Sequence, residues 1–371
     1  MNKIYLSPPH MSGKELEYVK EVFDQNWIAP IGPHLTRFEN IVKDYTGTKN
    51  AIAVTTGTAA IHLALRALGI QKGDAVLCST LTFIGTVNPV LYEGAEPVFI
   101  DSESDSWGMC PLLLEKAIIE LSLKGKFPKA IIPVHIFGIP ANIEKIKEIA
   151  DQYSIPIIED AAESLGSFHK GKHTGTFGEI GIYSFNGNKI LSTSGGGIIV
   201  TDNNDYANHM RFLSTQAKDP LPYYEHSQIG YNYRMSNVLA AIGIGQMEVL
   251  EDRIKRIREI HDVYRTELDD QFSSFLTEGP DDRANMWLTC GLLKDSVNPN
   301  GLIDYLDSHN IEARRIWKPM HQQPLLSSYR KYINGNADEF FSVGICLPSG
   351  SNMTEEDQSR VIDAIKKYKR Q

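Results

Sequence analysis

The chain has 371 residues, 42% hydrophobic and 22% charged, enough to bury a large core and to divide into one larger and one smaller unit. Its 46 acidic against 37 basic residues leave a net charge of −9, which argues against nucleic acid or an anionic membrane as the main partner but not against a locally cationic pocket. Cys78, Cys110, Cys290 and Cys346 stand apart, with neither a C-x-x-C pair nor a zinc spacing, so the expectation is a metal-free cytoplasmic protein with reduced thiols. Residues 1–10 lack a charged-then-apolar leader pattern, and no apolar run approaches membrane-spanning length.

In chain order, Ser12 and Glu15 form an S-x-x-E capping box before a helix with Leu16, Val19, Val22 and Phe23 on one face. Residues 26–33, with Pro30, Gly32 and Pro33, read as an extended loop. There Trp27 serves either a plain linker or a pocket wall. A second helix carries Leu35, Phe38, Ile41 and Val42. Apolar strands then alternate with helices: strand 51–54, helix 59–68 closed by Gly69, strand 75–78, helix 84–91, strand 97–100, helix 112–121, strand 130–134, helix 141–153 and strand 155–158. This alternation predicts a largely parallel sheet covered on both faces, with ligands at the carboxyl ends of its strands. Residues 214–236 read as irregular and residues 237–268 as helical, first with small residues and then amphipathic. From residue 271 the pattern becomes α+β, with a strand over 286–293 and helices over 302–308 and 355–368. The expected division is a large domain of residues 1–250 and a small one of residues 251–371.

Residues 157–200 carry the chemistry. An apolar strand delivers Asp160, a second delivers Ser184 and leads to Lys189, and Gly195-Gly196-Gly197 follows. Thr56-Gly57-Thr58 lies between a strand and a helix, where glycine permits close approach and the helix start offers free N–H groups, as in a phosphate cradle. Ser184 can add a hydroxyl to the same phosphate. Phe83 follows a strand and serves either as core packing or as a platform under a flat ring. Asp160, buried at a strand end, needs a partner: an arginine, a helix start, or a protonated pyridine nitrogen. Glu163 lies three residues further on. Lys189 stands among small and apolar neighbours where lysines usually reach for solvent. Spacing alone leaves a surface role and Schiff-base chemistry both open.

The ordered set Thr-Gly-Thr-Ala-Ala, Thr-Phe, Glu-Asp-Ala-Ala-Glu, Ser-Phe-x-x-x-Lys, Gly-Gly-Gly and Tyr-Asn-Tyr-Arg-Met-Ser resembles the DegT/DnrJ/StrS family, and the match spans nearly the whole chain. The resemblance implies a sugar aminotransferase using pyridoxal phosphate on the aspartate-aminotransferase-like fold (fold type I), a mostly parallel sheet domain with a smaller α+β domain. It implies Lys189 as the Schiff-base lysine and Asp160 as the pyridinium partner. Gly57, Thr58 and Ser184 are then phosphate ligands, Phe83 a stacking ring and Glu163 a neighbour of the ring hydroxyl. Asn232 is expected to reach the phosphate of the neighbouring subunit, which makes the protein a homodimer with shared sites. Many members carry Gly-Glu-Gly-Gly where this chain has Ser194-Gly195-Gly196-Gly197, so no role is carried over for that acid. The dehydratase branch has histidine at the lysine position, so Lys189 favours transamination.

A finer resemblance, carried by Leu6-Ser7-Pro8-Pro9-His10-Met11, Ile28-Ala29-Pro30, Phe185-Asn186-Gly187-Asn188-Lys189-Ile190, Ser214-Thr215-Gln216-Ala217 and Trp317-Lys318-Pro319-Met320-His321, is to PglE-type enzymes. It implies transfer of the amino group of L-glutamate to C4 of UDP-2-acetamido-2,6-dideoxy-α-D-xylo-hexos-4-ulose, on the route to bacillosamine. Asn26, Trp27, Ile28 and Ala29, with Lys318 and His321, are then expected at the sugar-nucleotide site. Within the class, the alternatives are a GDP-linked 4-keto-6-deoxy sugar or the C4-epimeric UDP product; outside it, a non-catalytic cofactor-binding regulator.

Overall fold

The computed structural model describes residues 2–294 and 297–368. Seven short strands form its central sheet: β1 (Asn50–Val54), β2 (Ala75–Ser79), β3 (Glu96–Ile100), β4 (Ala130–Ile132), β5 (Ile158–Asp160), β6 (Ile180–Ser184) and β7 (Gly197–Thr201). Two hydrogen-bonded groups, β1-β7-β6-β5 and β4-β2-β3, join through parallel bridges between Ile131 and Ile157 and between Val134 and Asp160. A two-residue strand, Lys331–Tyr332, lies parallel beside β3. Almost every strand residue is buried, as expected of a sheet covered on both faces.

β7 alone runs against its neighbours, antiparallel to both β1 and β6. Parallel strands need a crossover, usually helical, whereas an antiparallel pair can be joined by a loop. The β6–β7 connection, residues 185–196, is such a loop. It leaves the carboxyl end of β6 beside the carboxyl end of β5 and carries Lys189 there.

Several expected boundaries shift, two of them for clear local reasons. Helix α3 spans Gly57–Ala67, two residues earlier than the apolar pattern begins, because the Thr56 hydroxyl accepts a hydrogen bond from Ala59 N and caps the first turn. The expected helix over 84–91 is a 3₁₀ turn, Ile84–Thr86, followed by a short helix, Asn88–Tyr92, with Pro89 in its first turn.

Helix α1 spans Glu15–Asp24 and α2 spans Pro33–Thr46. Half of the expected capping box is present: Glu15 Oε1 accepts from Ser12 N at 2.7 Å, while the Ser12 hydroxyl accepts from Lys14 N. The expected apolar face of α1 is corrected, since Val22 is buried but Leu16 and Phe23 are 82% and 60% exposed. Both helices pack on helix Asn237–Met247, whose small residues permit close contact. A Cβ at Gly243 would lie 2.6 Å from the Phe38 ring, and one at Gly245 would lie 3.1 Å from Glu15 N.

The C-terminal part is an antiparallel sheet of strands Phe272–Phe275, Thr289–Leu293, Gly344–Leu347 and Arg314–Arg315. Helices Pro299–Ser308 and Glu355–Lys367 share an apolar core with it. The N-terminal segment returns to this part, where Ile4 bridges Ile311.

Candidate active site

The carboxyl ends of β5 and β6, the start of α3 and the loop after β2 enclose a cavity of about 360 Å³. Gly57, Thr58, Phe83, Asp160, Glu163, Ser184 and Lys189 all line it. Residues separated by up to 132 positions thus meet because the strand ends converge.

At the floor, Asp160 is 95% buried. Thr86 Oγ1 donates to its Oδ2 at 2.6 Å, and Ala162 N donates to its Oδ1 at 3.1 Å. Thr82 in turn holds the Thr86 hydroxyl at 2.6 Å. Burial pushes the Asp160 carboxyl above the usual aspartate range, and these hydrogen bonds and the Lys189 charge only partly offset it. A carboxylate placed so needs a cation in front of it.

Glu163 is also buried, and burial raises its carboxyl against the pull of Lys189. Its Oε1 accepts from Lys189 Nζ at 2.8 Å and its Oε2 from Phe137 N at 2.7 Å. Lys189 Nζ lies 4.1 Å from the centre of the Trp287 ring, and its side chain is 12% exposed. The lysine is therefore an inward group held between a carboxylate and an aromatic face. Trp287 Nε1 and the Ser7 hydroxyl both donate to Asn188 O, fixing the backbone next to it.

Opposite lies a concave polar wall. The N–H groups of Gly57 and Thr58 stand in the first turn of α3 and have no acceptor among the described residues. A Cβ at Gly57 would press on Ser184 Cβ at 3.2 Å, and one at Gly197 would lie 2.6 Å from Gly57 N, so only glycines permit this approach. Free N–H groups at a helix start, with the Thr58 and Ser184 hydroxyls beside them, are an anion cradle. Phe83 is 58% exposed in this chain, so it is a cavity wall and not core packing. A Cβ at Gly195 would meet nothing nearer than Thr55 O at 3.9 Å; there is room for a side chain that this sequence does not supply.

The other expected residues are not brought to the cavity of a single chain. Trp27 and Ile28 are 44% and 56% exposed, and Asn237 pins their loop through the carbonyls of Trp27 and Ala29. Asn26, with φ of 57°, turns the chain out of α1. Asn232 is exposed and bridged to Thr215, and Lys318 is exposed. His321 is buried with both ring nitrogens engaged, Nδ1 with Thr80 Oγ1 at 2.7 Å and Nε2 with Asp338 at 2.8 Å; it ties its segment to the end of β2. The cavity is also lined by Thr86, Trp287 and Arg314, which no motif contains, and by Trp317, which stands in a motif but is assigned no role by it. Arg314 and Trp317 stand four and one positions before Lys318, so the segment that carries Lys318 reaches the cavity through these two residues.

The model of the DegT/DnrJ/EryC1/StrS aminotransferase family matches residues 9–366. EpsN of Bacillus subtilis, provisionally named a pyridoxal phosphate-dependent aminotransferase, is 49% identical, covering 98% of this chain and 95% of its own length. A GDP-perosamine synthase of Escherichia coli is 36% identical over 99% of both chains. The crystal structure of a DegT DnrJ EryC1 StrS aminotransferase from Brucella abortus superposes with a TM-score of 0.90 at 29% identity, covering 95% of each chain. The architecture is thus the fold type I, aspartate-aminotransferase-like one, and the enzyme class is that of pyridoxal phosphate-dependent sugar aminotransferases. The chain belongs to the DegT/DnrJ/EryC1/StrS family.

The residues present fit the cofactor on their own chemistry. The cradle suits a phosphate, the buried Asp160 suits a cationic ring nitrogen, and the inward Lys189 amine suits a carbonyl.

Proposed function

We propose that this enzyme transfers the amino group of L-glutamate to C4 of UDP-2-acetamido-2,6-dideoxy-α-D-xylo-hexos-4-ulose, giving UDP-4-amino-4,6-dideoxy-GlcNAc in a bacillosamine-type route. The observation that carries the chemistry is the Lys189 amine, 2.8 Å from Glu163 and facing the same cavity as Asp160. The PglE-like segments around Leu6, Ile28, Lys189 and Trp317 favour the UDP-sugar.

Gly57, Thr58 and Ser184 would hold the cofactor phosphate, Phe83 one ring face, Asp160 the ring nitrogen and Glu163 the hydroxyl side. Pyridoxal phosphate supplies an electron sink for charge developing at the carbon next to the transferred nitrogen. With its amine freed as the nitrogen of glutamate takes its place on the cofactor carbonyl, Lys189 Nζ would take the proton from Cα of glutamate and pass it on, and water would release 2-oxoglutarate with the amino group left on the cofactor. In the second half-reaction the amino group would replace the C4 oxygen of the keto sugar, which leaves as water, and Lys189 would deliver the proton to C4. Asp160 keeps the ring nitrogen protonated throughout. Glu163 orients the lysine amine and returns it to the same place after each proton transfer.

We take the protein as a cytoplasmic homodimer in which Asn232 completes the neighbour's phosphate site. The exposed Asn232 and the exposed apolar run of Leu16, Phe23, Trp27, Ile28 and Ile31 support this reading. Residues 26–29 and Lys318 would then meet the sugar nucleotide across the interface. We take residues 1–250 as the cofactor-binding unit and residues 251–371 as the small unit, a reading supported by the antiparallel sheet drawn wholly from residues 272–347, while Lys331–Tyr332 crosses back to pair with β3. Four free buried cysteines and the absence, among the described residues, of a helix long and apolar enough to cross a membrane agree with the cytoplasmic placement.

A GDP-linked 4-keto-6-deoxy sugar is the second reading, favoured by the similarity to GDP-perosamine synthases. Purified enzyme incubated with L-glutamate and each keto sugar, with the product assigned by NMR, separates the two. The proposal expects the UDP-amino sugar with stoichiometric 2-oxoglutarate. Turnover of the GDP sugar alone, or formation of the C4 epimer, would contradict it.

A further inference from the structure

A second cavity, of about 350 Å³, adjoins the first. The two share Asn188, Trp287 and Arg314, so they form one cleft with Arg314 at the junction. The outer chamber is walled by Leu6, Pro8 and Pro9 of the N-terminal segment. Among the described residues, Arg314 and Lys189 are the only cationic side chains lining either chamber. Lys189 is committed to Glu163 and to proton transfer. That leaves one cation for recognising a charged ligand.

Arg314 is built for that task and its neighbour is not. The guanidinium of Arg315 is spent on Asn300 Oδ1 and on the carbonyls of Phe341 and Ser342. Arg314 instead reaches outward, its side chain 69% exposed, and meets one oxygen of Glu312. Its Nε donates to Glu312 Oε1 at 2.8 Å and its Nη2 donates to the same oxygen. Its Nη1 has no partner among the described residues. The other oxygen, Glu312 Oε2, accepts from Leu6 N at 3.0 Å, which fixes the carboxylate to the chamber wall. Glu312 thus holds the arginine at the junction through a single oxygen that a ligand oxyanion can replace.

We propose that Arg314 recognises the oxyanion of a substrate in this cleft, with Glu312 as the counter-ion that aims it and is displaced on binding. The inference rests on the aminotransferase reading above, in which both substrates are anionic: the donor through its carboxylates, the sugar nucleotide through its diphosphate. Guanidinium pairs with either by parallel hydrogen bonds.

The test is calorimetric binding to the holoenzyme, with glutarate as the carboxylate probe and UDP and GDP as the diphosphate probes. In Arg314→Gln the affinity for at least one class of probe falls about tenfold or more, and Arg314→Lys restores part of it. Glu312→Gln keeps an acceptor for Leu6 N but removes the competing charge, so the same probe binds more tightly. A merely structural role for the pair predicts the opposite sign. Glutarate as the affected probe assigns the amino donor; the nucleoside diphosphates assign the sugar nucleotide. If every probe binds Arg314→Gln within twofold of the wild type, or Glu312→Gln weakens binding as Arg314→Gln does, the inference is overturned while the proposed function stands. A wild-type enzyme that binds GDP but not UDP contradicts the proposed sugar and leaves Arg314 to the same comparison. One that binds no probe overturns both.

Discussion

The floor and the rim of this cleft are built differently. Asp160, Glu163, Thr86 and Lys189 are buried or nearly so, and each side chain that matters is bound to a named partner. Phe83 and Arg314 line the rim and are exposed, and only Arg314 has a charged partner; Trp27, Ile28 and Asn232, exposed outside the cavity of the single chain, would join the rim across the proposed interface. The difference follows from the work proposed for each. Proton transfer needs groups fixed to within a fraction of an ångström. A site that exchanges its ligand twice per cycle needs groups that exchange partners.

The largest effect expected is on the floor. Lys189→Ala should lower turnover about 10⁴-fold or more, measured as 2-oxoglutarate released from glutamate. A variant with normal turnover would remove the floor from the account. Asp160→Asn should cost about 10²-fold in turnover while raising the melting temperature of the cofactor-free protein. The sign follows from the raised carboxyl: the fold disfavours the ionised form, so at neutral pH Asp160 destabilises the apoprotein. Its stability contribution is fully present below the 3.8 of a free aspartate and is lost as pH rises through the raised folded value. The advantage of the asparagine variant should therefore shrink as pH falls, and a constant difference across pH would contradict the assignment.

At the interface the expected effect is intermediate. Lys189→Ala and Asn232→Ala, each impaired alone, should recover about a quarter of wild-type activity when their subunits are mixed and allowed to exchange, because each hybrid then holds one intact site. Absence of recovery despite proven exchange would place Asn232 outside the site. The smallest effect belongs to the rim. Trp27→Ala should raise KM for the sugar nucleotide about three- to tenfold and leave KM for glutamate and kcat nearly unchanged. Equal changes for both substrates would separate Trp27 from sugar recognition.

The same contrast explains what the amino-acid sequence discloses. The central strands announce themselves as short apolar runs, and cavity residues such as Asp160 and Ser184 sit where those runs end. Gly57 and Lys189 carry local signals in a turn before a helix and in a glycine-rich loop. Residues brought in from the C-terminal part are less legible because their place depends on tertiary neighbours. Trp287 reaches Lys189 across 98 positions, and no local pattern marks it. His321 shares a segment with Lys318, yet Thr80 and Asp338 hold it in the interior. Leu16 and Phe23 have helical spacing like buried residues, but α1 turns them outward, away from the helix on which it packs.

On the proposed function, Lys189 would be the floor residue that holds the cofactor covalently. Borohydride reduction of the resting holoenzyme fixes the cofactor to whichever lysine carries it, and peptide mass mapping then locates the modification. The expected result is stoichiometric label on the peptide containing Lys189 and none in Lys189→Ala. Label on a different lysine, or a holoenzyme that takes no label, would contradict it.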